Sequence, residues 1–196
     1  MYEGVGVRPR MYVKIPQERL GAVIGEEGSV KMEISRRLGV SIAIDTENSV
    51  AVIEPESGST PPINVIKAAE IVKAIAYGFT PDKAMSLLNE DYVLLVVDLK
   101  EFTGDKENHL RRVKGRIIGE GGRARRTLEE LTGTYIVVGE YHVAIIGEYE
   151  RAMATKEAVE MLAQGRMHST VYKHLYTLMR DVKRREKHKF WGRRFE

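Results

Sequence analysis

The chain contains an internal duplication. Its segment VIGEEGSVKMEISRRLGVSIAI at 23–44 returns 94 positions later as IIGEGGRARRTLEELTGTYIVV at 117–138. A second pair, EIVKAIAYG at 70–78 and EAVEMLAQG at 157–165, recurs at a spacing of 87. The identical positions of the first pair are Ile24, Gly25, Glu26, Gly28, Gly39 and Ile42, which recur as Ile118, Gly119, Glu120, Gly122, Gly133 and Ile136. Because such a repeat marks one structural unit used twice, the sequence predicts two copies of one small fold.

Each copy has the same succession of strand-like and helix-like segments. It opens with an extended segment, MYVKI at 11–15 or YVLLVVDL at 92–99, and the latter is a continuous apolar run typical of a buried strand. A short helix, a glycine-rich loop and a second helix follow. In the second copy Leu110, Val113 and Ile117 share one face of the first helix. Two strands and a last helix complete the order βααββα, which predicts the α+β class.

The repeats also suggest domain boundaries. They divide the chain into a first domain, a linker helix, a second domain and a basic C-terminal helix with its tail, at 1–78, 79–91, 92–165 and 166–196. Thr80 and Pro81 are residue types favoured at the start of a helix, as cap and first position. Because this connection is short, we expect the two domains to pack together rather than to hang on a flexible tether.

The glycine loop has the composition of an anion site. Glycines at 119, 121 and 122 allow a tight turn and let another backbone approach closely. The helix that follows presents unpaired N–H groups and the positive end of its dipole at the loop. The alternative is a glycine turn with a purely structural role. Its recurrence at matched positions in both copies favours a binding role.

A βααββα unit with I-G-x-x-G between its first two helices resembles a KH domain of the eukaryotic (type I) topology. In KH domains this loop clamps the backbone of about four nucleotides of a single strand. Both copies match, and together they cover 11–165. The resemblance implies an α+β protein with two tandem type I KH domains that bind single-stranded RNA.

The two copies differ in charge. Residues 109–126 carry a net charge of +6, whereas 17–37 have none. In the first loop the variable positions are Glu26 and Glu27, and each carboxylate would cost about 1 kcal/mol against a phosphate. We therefore expect the second copy to do most of the RNA binding. The first copy would guide RNA weakly, contact protein, or support the second.

The candidate RNA-binding residues follow from this asymmetry. The primary set comprises the second loop and its neighbours: Gly119, Glu120, Gly121, Gly122, Arg112, Lys114, Arg116, Ile118, Arg123, Arg125 and Arg126. The secondary set is Gly25, Gly28 and Lys31. The arginines and lysine would neutralise phosphates, and Ile118, with Ile136 and Val138, would line an apolar groove for bases. Plain core packing is an equal alternative for these three aliphatic residues.

The C-terminal region is strongly basic. Residues 166–196 hold ten Lys/Arg against three acidic residues, while the net charge of the whole chain is +3. A helix is expected to start at Ser169 or Thr170 and to pack an apolar stripe on the body. Its end interleaves basic residues with Phe190, Trp191 and Phe195, which could stack on bases or anchor the tail to protein.

Four features together resemble the archaeal partner-of-Nob proteins (the Dim-two family), with the Krr proteins close to them. These features are the tandem units, the acidic first loop, the segment GRIIGEGGRARRTLEELTGTYIVV and the later segment GRMHSTVYKHL. The resemblance implies a small-subunit ribosome assembly factor that binds the 3′ region of 16S rRNA. It also implies cooperation with the Nob endonuclease. Alternatives are a KH subunit of another RNA-processing machine, such as an exosome cap, or a translation-associated factor. No run of short strands indicates the S1-type barrel usual in exosome caps.

Several other classes are disfavoured. The chain has no cysteine, which excludes disulfides and thiolate metal sites, and its five histidines lack paired ligand spacing. No phosphate-binding loop of the G-x-x-x-x-G-K-[ST] type occurs. No signal peptide or membrane-spanning run is apparent. We therefore expect a cytoplasmic, non-catalytic protein without cofactor, metal site or membrane partner.

Overall fold

A computed structural model describes residues 9–104 and 106–192, with side chains described as far as residue 186. The chain divides between Leu88 and Asn89 into two compact units, here called the first unit and the second unit. Both mix helices with an antiparallel sheet, so the expected α+β class is confirmed. In the part of the chain described, the helices are all too short or too polar to cross a lipid bilayer.

The first unit is built on a three-stranded sheet in the order β1-β3-β2. Its strands and helices are β1 (Met11–Lys14), α1 (Leu20–Ile24), α2 (Ser29–Leu38), β2 (Val40–Asp45), β3 (Val50–Pro55), α3 (Pro62–Ala76) and α4 (Pro81–Ala84). In β2 the side chains alternate, because Val40 and Ile42 point into the core and Ser41 to solvent. Short 3₁₀ turns lie at Gln17–Arg19, Glu26–Gly28 and Met85–Leu88.

The second unit repeats this arrangement with the sheet order β4-β6-β5. Its elements are β4 (Tyr92–Asp98), α5 (Lys100–Thr103), α6 (Glu107–Ile118), a 3₁₀ turn (Glu120–Gly122), α7 (Arg123–Thr132), β5 (Tyr135–Val138), β6 (His142–Glu148), α8 (Tyr149–Ala163) and α9 (His168–Gly192). The central strand β6 is buried from Val143 to Gly147, as expected for a strand paired on both edges and covered by helices. Helices α6, α7 and α8 pack around this core with α9.

Two local details of the helices differ from the expectation, and the start of α4 agrees with it. The short helix α5 was not expected from the sequence. Thr80 occupies the N-cap position of α4, but its side chain makes no capping hydrogen bond. Helix α9 begins at His168, so Ser169 and Thr170 lie inside its first turn and do not start it. The apolar stripe of α9 does pack on the body as expected, with Val171, Leu175, Met179 and Val182 buried and Leu178 partly buried.

Candidate nucleic-acid interface

The loop from 119 to 122 is a tight left-handed turn between α6 and α7. Gly119, Gly121 and Gly122 have φ of 71°, 57° and 80°, a region that side chains rarely adopt. A Cβ on Gly119 would lie 2.7 Å from the backbone nitrogen of Ala124, so only glycine fits there. No atom would lie within 4 Å of a Cβ on Gly121, which is exposed. The turn is therefore open to solvent and points at the N-terminus of a ten-residue helix, where backbone N–H groups favour anions.

The candidate cationic side chains differ in whether they already form hydrogen bonds or ion pairs within the protein. Arg112 and Arg123 are exposed, and the side chain of neither forms a hydrogen bond or ion pair with another described residue. Arg126 donates from Nη2 to the carbonyl oxygen of Gly121 at 2.9 Å and so lies against the loop itself. Arg125 Nε lies 3.8 Å from the carboxylate of Glu129, a long and partly exposed contact. Arg123 and Arg126 thus flank the turn directly.

Arg112 lies apart from this cluster. It is seven residues before Gly119 on α6, which places it about 10 Å away along the helix. It borders the start of α6, near Lys106 and His109. An RNA strand that reached both the turn and Arg112 would have to run alongside α6.

Arg116 has a different role from the one expected. Its Nε donates to the carbonyl oxygen of Leu162 at 3.2 Å, and its Nη2 donates to that of Arg166. His168 Nε2 lies 2.8 Å from the carbonyl oxygen of Arg116 itself. The guanidinium therefore ties α6 to the end of α8 and to the segment that leads into α9. We assign Arg116 a structural role instead of phosphate binding.

A groove of about 430 Å³ lies between α6 and the turn that joins β5 to β6. Ile118 and Lys114 line its helical side, and Lys114 Nζ donates to the carbonyl oxygen of Glu140 at 3.3 Å. Ile136 is 1% exposed and belongs to the hydrophobic core, which agrees with the core-packing alternative and not with a place in a base groove. Val138 is partly buried against the same core.

The groove also contains residues that sequence reasoning missed. Arg111 lines its helical side, and Tyr141 lies at the opposite lip with 43% of its surface exposed. Lys100 Nζ lies 4.5 Å from the centre of the Tyr141 ring. The Glu140 carboxylate accepts a hydrogen bond from the Tyr141 hydroxyl and raises its pKa. The sequence signal that could have identified Tyr141 was an aromatic residue in a short turn between two expected strands.

The first unit has the same turn with different side chains. Gly25, Glu27 and Gly28 have φ of 77°, 52° and 81°, and a Cβ on Gly25 would lie 2.6 Å from the nitrogen of Val30. Lys31 follows on α2, half-buried and without a charged partner among described residues. The remaining cations of α2 are paired internally: Arg37 and Arg36 contact Glu33 at 2.6 and 3.3 Å. This turn presents mainly negative charge.

Arg19 of the first unit makes the contacts that Arg116 makes in the second. It donates from Nε to the carbonyl oxygen of Ile75 at 3.0 Å and from Nη2 to that of Phe79 at 2.8 Å. These acceptors lie 87 positions before Leu162 and Arg166, the spacing of the last helix of the repeat. Each unit thus secures the end of its closing helix with one arginine.

The aromatic end of the C-terminal region lies outside the residues whose side chains are described. This holds for Phe190, Trp191 and Phe195, so both of their alternative roles, stacking on bases or anchoring the tail to protein, stay predictions.

Residues 93–180 match a family model for the second KH domain of PNO1, described as a eukaryotic-type (type I) KH domain. A KH domain-containing protein of Methanocaldococcus jannaschii is 41% identical over 172 residues, which cover 88% of this chain and 75% of the relative. The chain belongs to the PNO1/Dim2 family of KH-domain proteins. The KH-type fold expected from the sequence is thereby confirmed.

Other members of the family extend the comparison. The pre-rRNA-processing protein PNO1 of Candida albicans is 27% identical over 177 residues, and the match spans 63% of that relative. A crystal structure of a protein from Aeropyrum pernix is 66% identical and superposes with a TM-score of 0.92, covering 95% of this chain and 98% of that one. A complex of a/eIF2α, aDim2p and rRNA from Pyrococcus horikoshii contains a chain 38% identical, with a TM-score of 0.83 over 90% of this chain and 97% of that one.

Proposed function

We propose that this protein binds single-stranded RNA, chiefly through the loop at 119–122 of the second unit. The observation that carries the proposal is an open, glycine-lined turn at a helix N-terminus, flanked by the cations Arg123 and Arg126. Backbone N–H groups there would hold a phosphate, while the cations supply salt-dependent attraction. Ile118 and Tyr141 would contact bases in the adjoining groove.

The architecture proposed for this function is a pair of type I KH domains. The domains would span 1–78 and 92–165, joined by a linker helix at 79–91 and followed by a basic C-terminal extension at 166–196. Support comes from the common element order of the two units and from the near-identical dihedral angles of their glycine turns. The binding role of the first unit, through Gly25, Gly28 and Lys31, would be secondary, since Glu26 and Glu27 repel phosphate.

The RNA in question is proposed to be ribosomal. Relatives include a pre-rRNA-processing protein and a chain found in a complex with rRNA. The archaeal resemblance specifies the 3′ region of 16S rRNA during small-subunit maturation, in cooperation with the Nob endonuclease. The protein would act in the cytoplasm and position RNA without catalysing a reaction. The relatives from M. jannaschii and C. albicans are described by a KH domain and by pre-rRNA processing, not by an enzymatic reaction.

Crosslinking in cell extract, followed by sequencing of the attached RNA, tests this proposal. Reads concentrated near the 3′ end of 16S rRNA are expected, and Gly121→Asp should reduce them because it adds a carboxylate to an open turn, at a backbone conformation that Glu27 adopts in the first unit. Reads spread over messenger RNAs would contradict a role in ribosome assembly. Purified protein that cleaved RNA unaided would contradict the non-catalytic role.

A further inference from the structure

A second groove of the second unit lies between α7 and α9. It has a volume of about 700 Å³. Leu131 and Met179 supply apolar surface, and both belong to or pack against the core. Tyr176 stands at the groove with 63% of its surface exposed. An exposed aromatic ring above an apolar floor is a surface on which a planar group can stack.

The charge of this groove is mainly positive. Arg180, Lys183 and Arg184 line it, against the single carboxylate of Glu130. Arg180 and Lys183 are exposed and form no hydrogen bond or ion pair with other residues in the described part of the chain. Arg184 lies 3.7 Å from Asp181, an exposed contact. The cations are thus available to a polyanion from outside.

The opposite side of α9 has a different character. The cavity between α8 and α9 is about 760 Å³ and contains four carboxylates, Glu150, Glu157, Glu160 and Asp181, against three cations, Lys156, Arg184 and Arg185. Most of these groups are paired: His174 contacts Glu157 at 2.8 Å, Lys156 contacts Glu160 at 3.7 Å and Arg185 contacts Glu150 at 3.4 Å. Helix α9 therefore has one basic flank, and it faces α7.

One face of α7 leads from the glycine turn to this basic flank. Helix α9 starts beside the end of α6, where His168 contacts the Arg116 carbonyl. Its Tyr172 side chain then lies beside Thr127, one turn into α7. Arg123 lies one turn before Thr127, and Leu131 one turn after it, so the three residues share the face toward α9. The path from Arg123 to Leu131 is about 12 Å long, which about four stacked nucleotides would span.

We propose that the α7–α9 groove is a second RNA-binding surface, which receives the strand after it leaves the turn at 119–122. This inference rests on the proposed function. Arg180 and Lys183 bind phosphates there, and Tyr176 stacks on a base. The occupant is RNA because the groove is cationic, carries an exposed aromatic ring and adjoins a phosphate-binding turn. A protein helix would require a larger unpaired apolar surface than Leu131 and Met179 provide.

RNA of two lengths tests the inference. The probes are labelled, randomised single-stranded RNAs of about 6 and about 14 nucleotides, the shorter being slightly longer than the four that a KH loop clamps. The double variant Arg180→Ala/Lys183→Ala should bind the long RNA about tenfold more weakly near 0.1 M salt and lower the salt dependence of log K by about 1.4. Tyr176→Ala should also lose about tenfold with long RNA, and Tyr176→Phe should restore it. Short RNA should bind all variants as it binds the wild type.

The matched control is Lys156→Ala/Arg185→Ala, which removes the same charge from the α8 side and should leave both affinities within about twofold. Circular dichroism and thermal unfolding should confirm that every variant folds. If the groove and control variants lose equal affinity, the attraction is general and the inference is wrong. If the groove variants bind long RNA normally, the groove serves another partner and the inference is equally wrong. Failure of the wild type to bind short RNA would instead contradict the proposed function, and the inference with it.

Discussion

The turns of the first and second units follow the same backbone path through different residues. Gly25 and Gly119 have φ of 77° and 71°, and in both a Cβ would strike the nitrogen five residues ahead. At the third position Glu27 has φ of 52° and ψ of 24°, where Gly121 has 57° and 21°. The first turn therefore has the backbone shape of the second while presenting one more carboxylate. Shape and charge can thus be varied separately in this chain.

The largest effect is expected where the two units share a steric requirement. Gly25→Ala and Gly119→Ala each force a Cβ to within 2.7 Å of backbone at positive φ, and each should destabilise its unit by about 2–4 kcal/mol. Urea unfolding of each variant measures this loss. The controls are Gly21→Ala and Gly115→Ala, matched helical positions with open space, which should be neutral or stabilise by up to about 1 kcal/mol. If only one of Gly25→Ala and Gly119→Ala destabilised the protein, the two turns would not be structurally equivalent.

The next effect concerns the two arginines that hold the closing helices. Arg19→Ala and Arg116→Ala each remove two side-chain hydrogen bonds to carbonyl oxygens, at an expected cost of about 1–3 kcal/mol in the free energy of unfolding. Arg112→Ala, which removes an unpaired cation, should leave stability unchanged and weaken RNA binding. An Arg116→Ala protein with wild-type stability and reduced RNA affinity would restore Arg116 to the phosphate-binding set.

A smaller effect is expected from exchanging the one residue in which the turns differ. Gly121→Glu gives the second turn the sequence of the first, and the added carboxylate should weaken RNA binding about fivefold, or about 1 kcal/mol. Glu27→Gly gives the first turn the sequence of the second and should not weaken binding. The RNA affinity of both variants, measured by fluorescence anisotropy at two salt concentrations, tests these two expectations. Equal losses from Gly121→Glu and from Gly28→Glu, where a Cβ would meet no atom closer than 4.0 Å, would contradict the dominance of the second unit.

The smallest effect concerns Glu33, which pairs with Arg37 and Arg36 in the first unit. Hydrogen bonds from Arg37 and then Arg36 lower the pKa of its carboxyl below the ordinary 4.5. This pairing contributes stability that is present above about pH 4.5 and is lost as pH falls through the lower folded-state pKa. An NMR titration of Glu33 should show the depressed value. Arg37→Ala should return it toward the ordinary one, and an unchanged titration would show that the pairing is absent in solution.

The sequence predicted the features that depend on local pattern. The duplication, the strand and helix order and the position of the glycine turn follow from periodicity and from glycine at fixed spacing. The sequence did not predict contacts between distant segments. An example is Arg116, which donates hydrogen bonds to carbonyl oxygens 46 and 50 residues away. Burial was similarly undetermined: Ile118 and Ile136 are both isoleucine in apolar segments, yet one lines a groove and the other is core. Tertiary packing alone separates them.

Arg19 and Arg116 also bear on how duplicated halves diverge. When the two halves are aligned at the repeat spacing of 94 residues, Arg19 is aligned with Val113 and Arg116 with Ala22. A position-by-position comparison of the aligned halves would therefore score both arginines as unmatched. The two positions are three residues apart in that register, about one helical turn, and their donors reach equivalent acceptors. The two halves share equivalent carbonyl acceptors at the end of the closing helix. The arginine that donates to these acceptors occupies a different aligned position in each half. Ancestral reconstruction of either half should therefore track acceptors as well as residue identities.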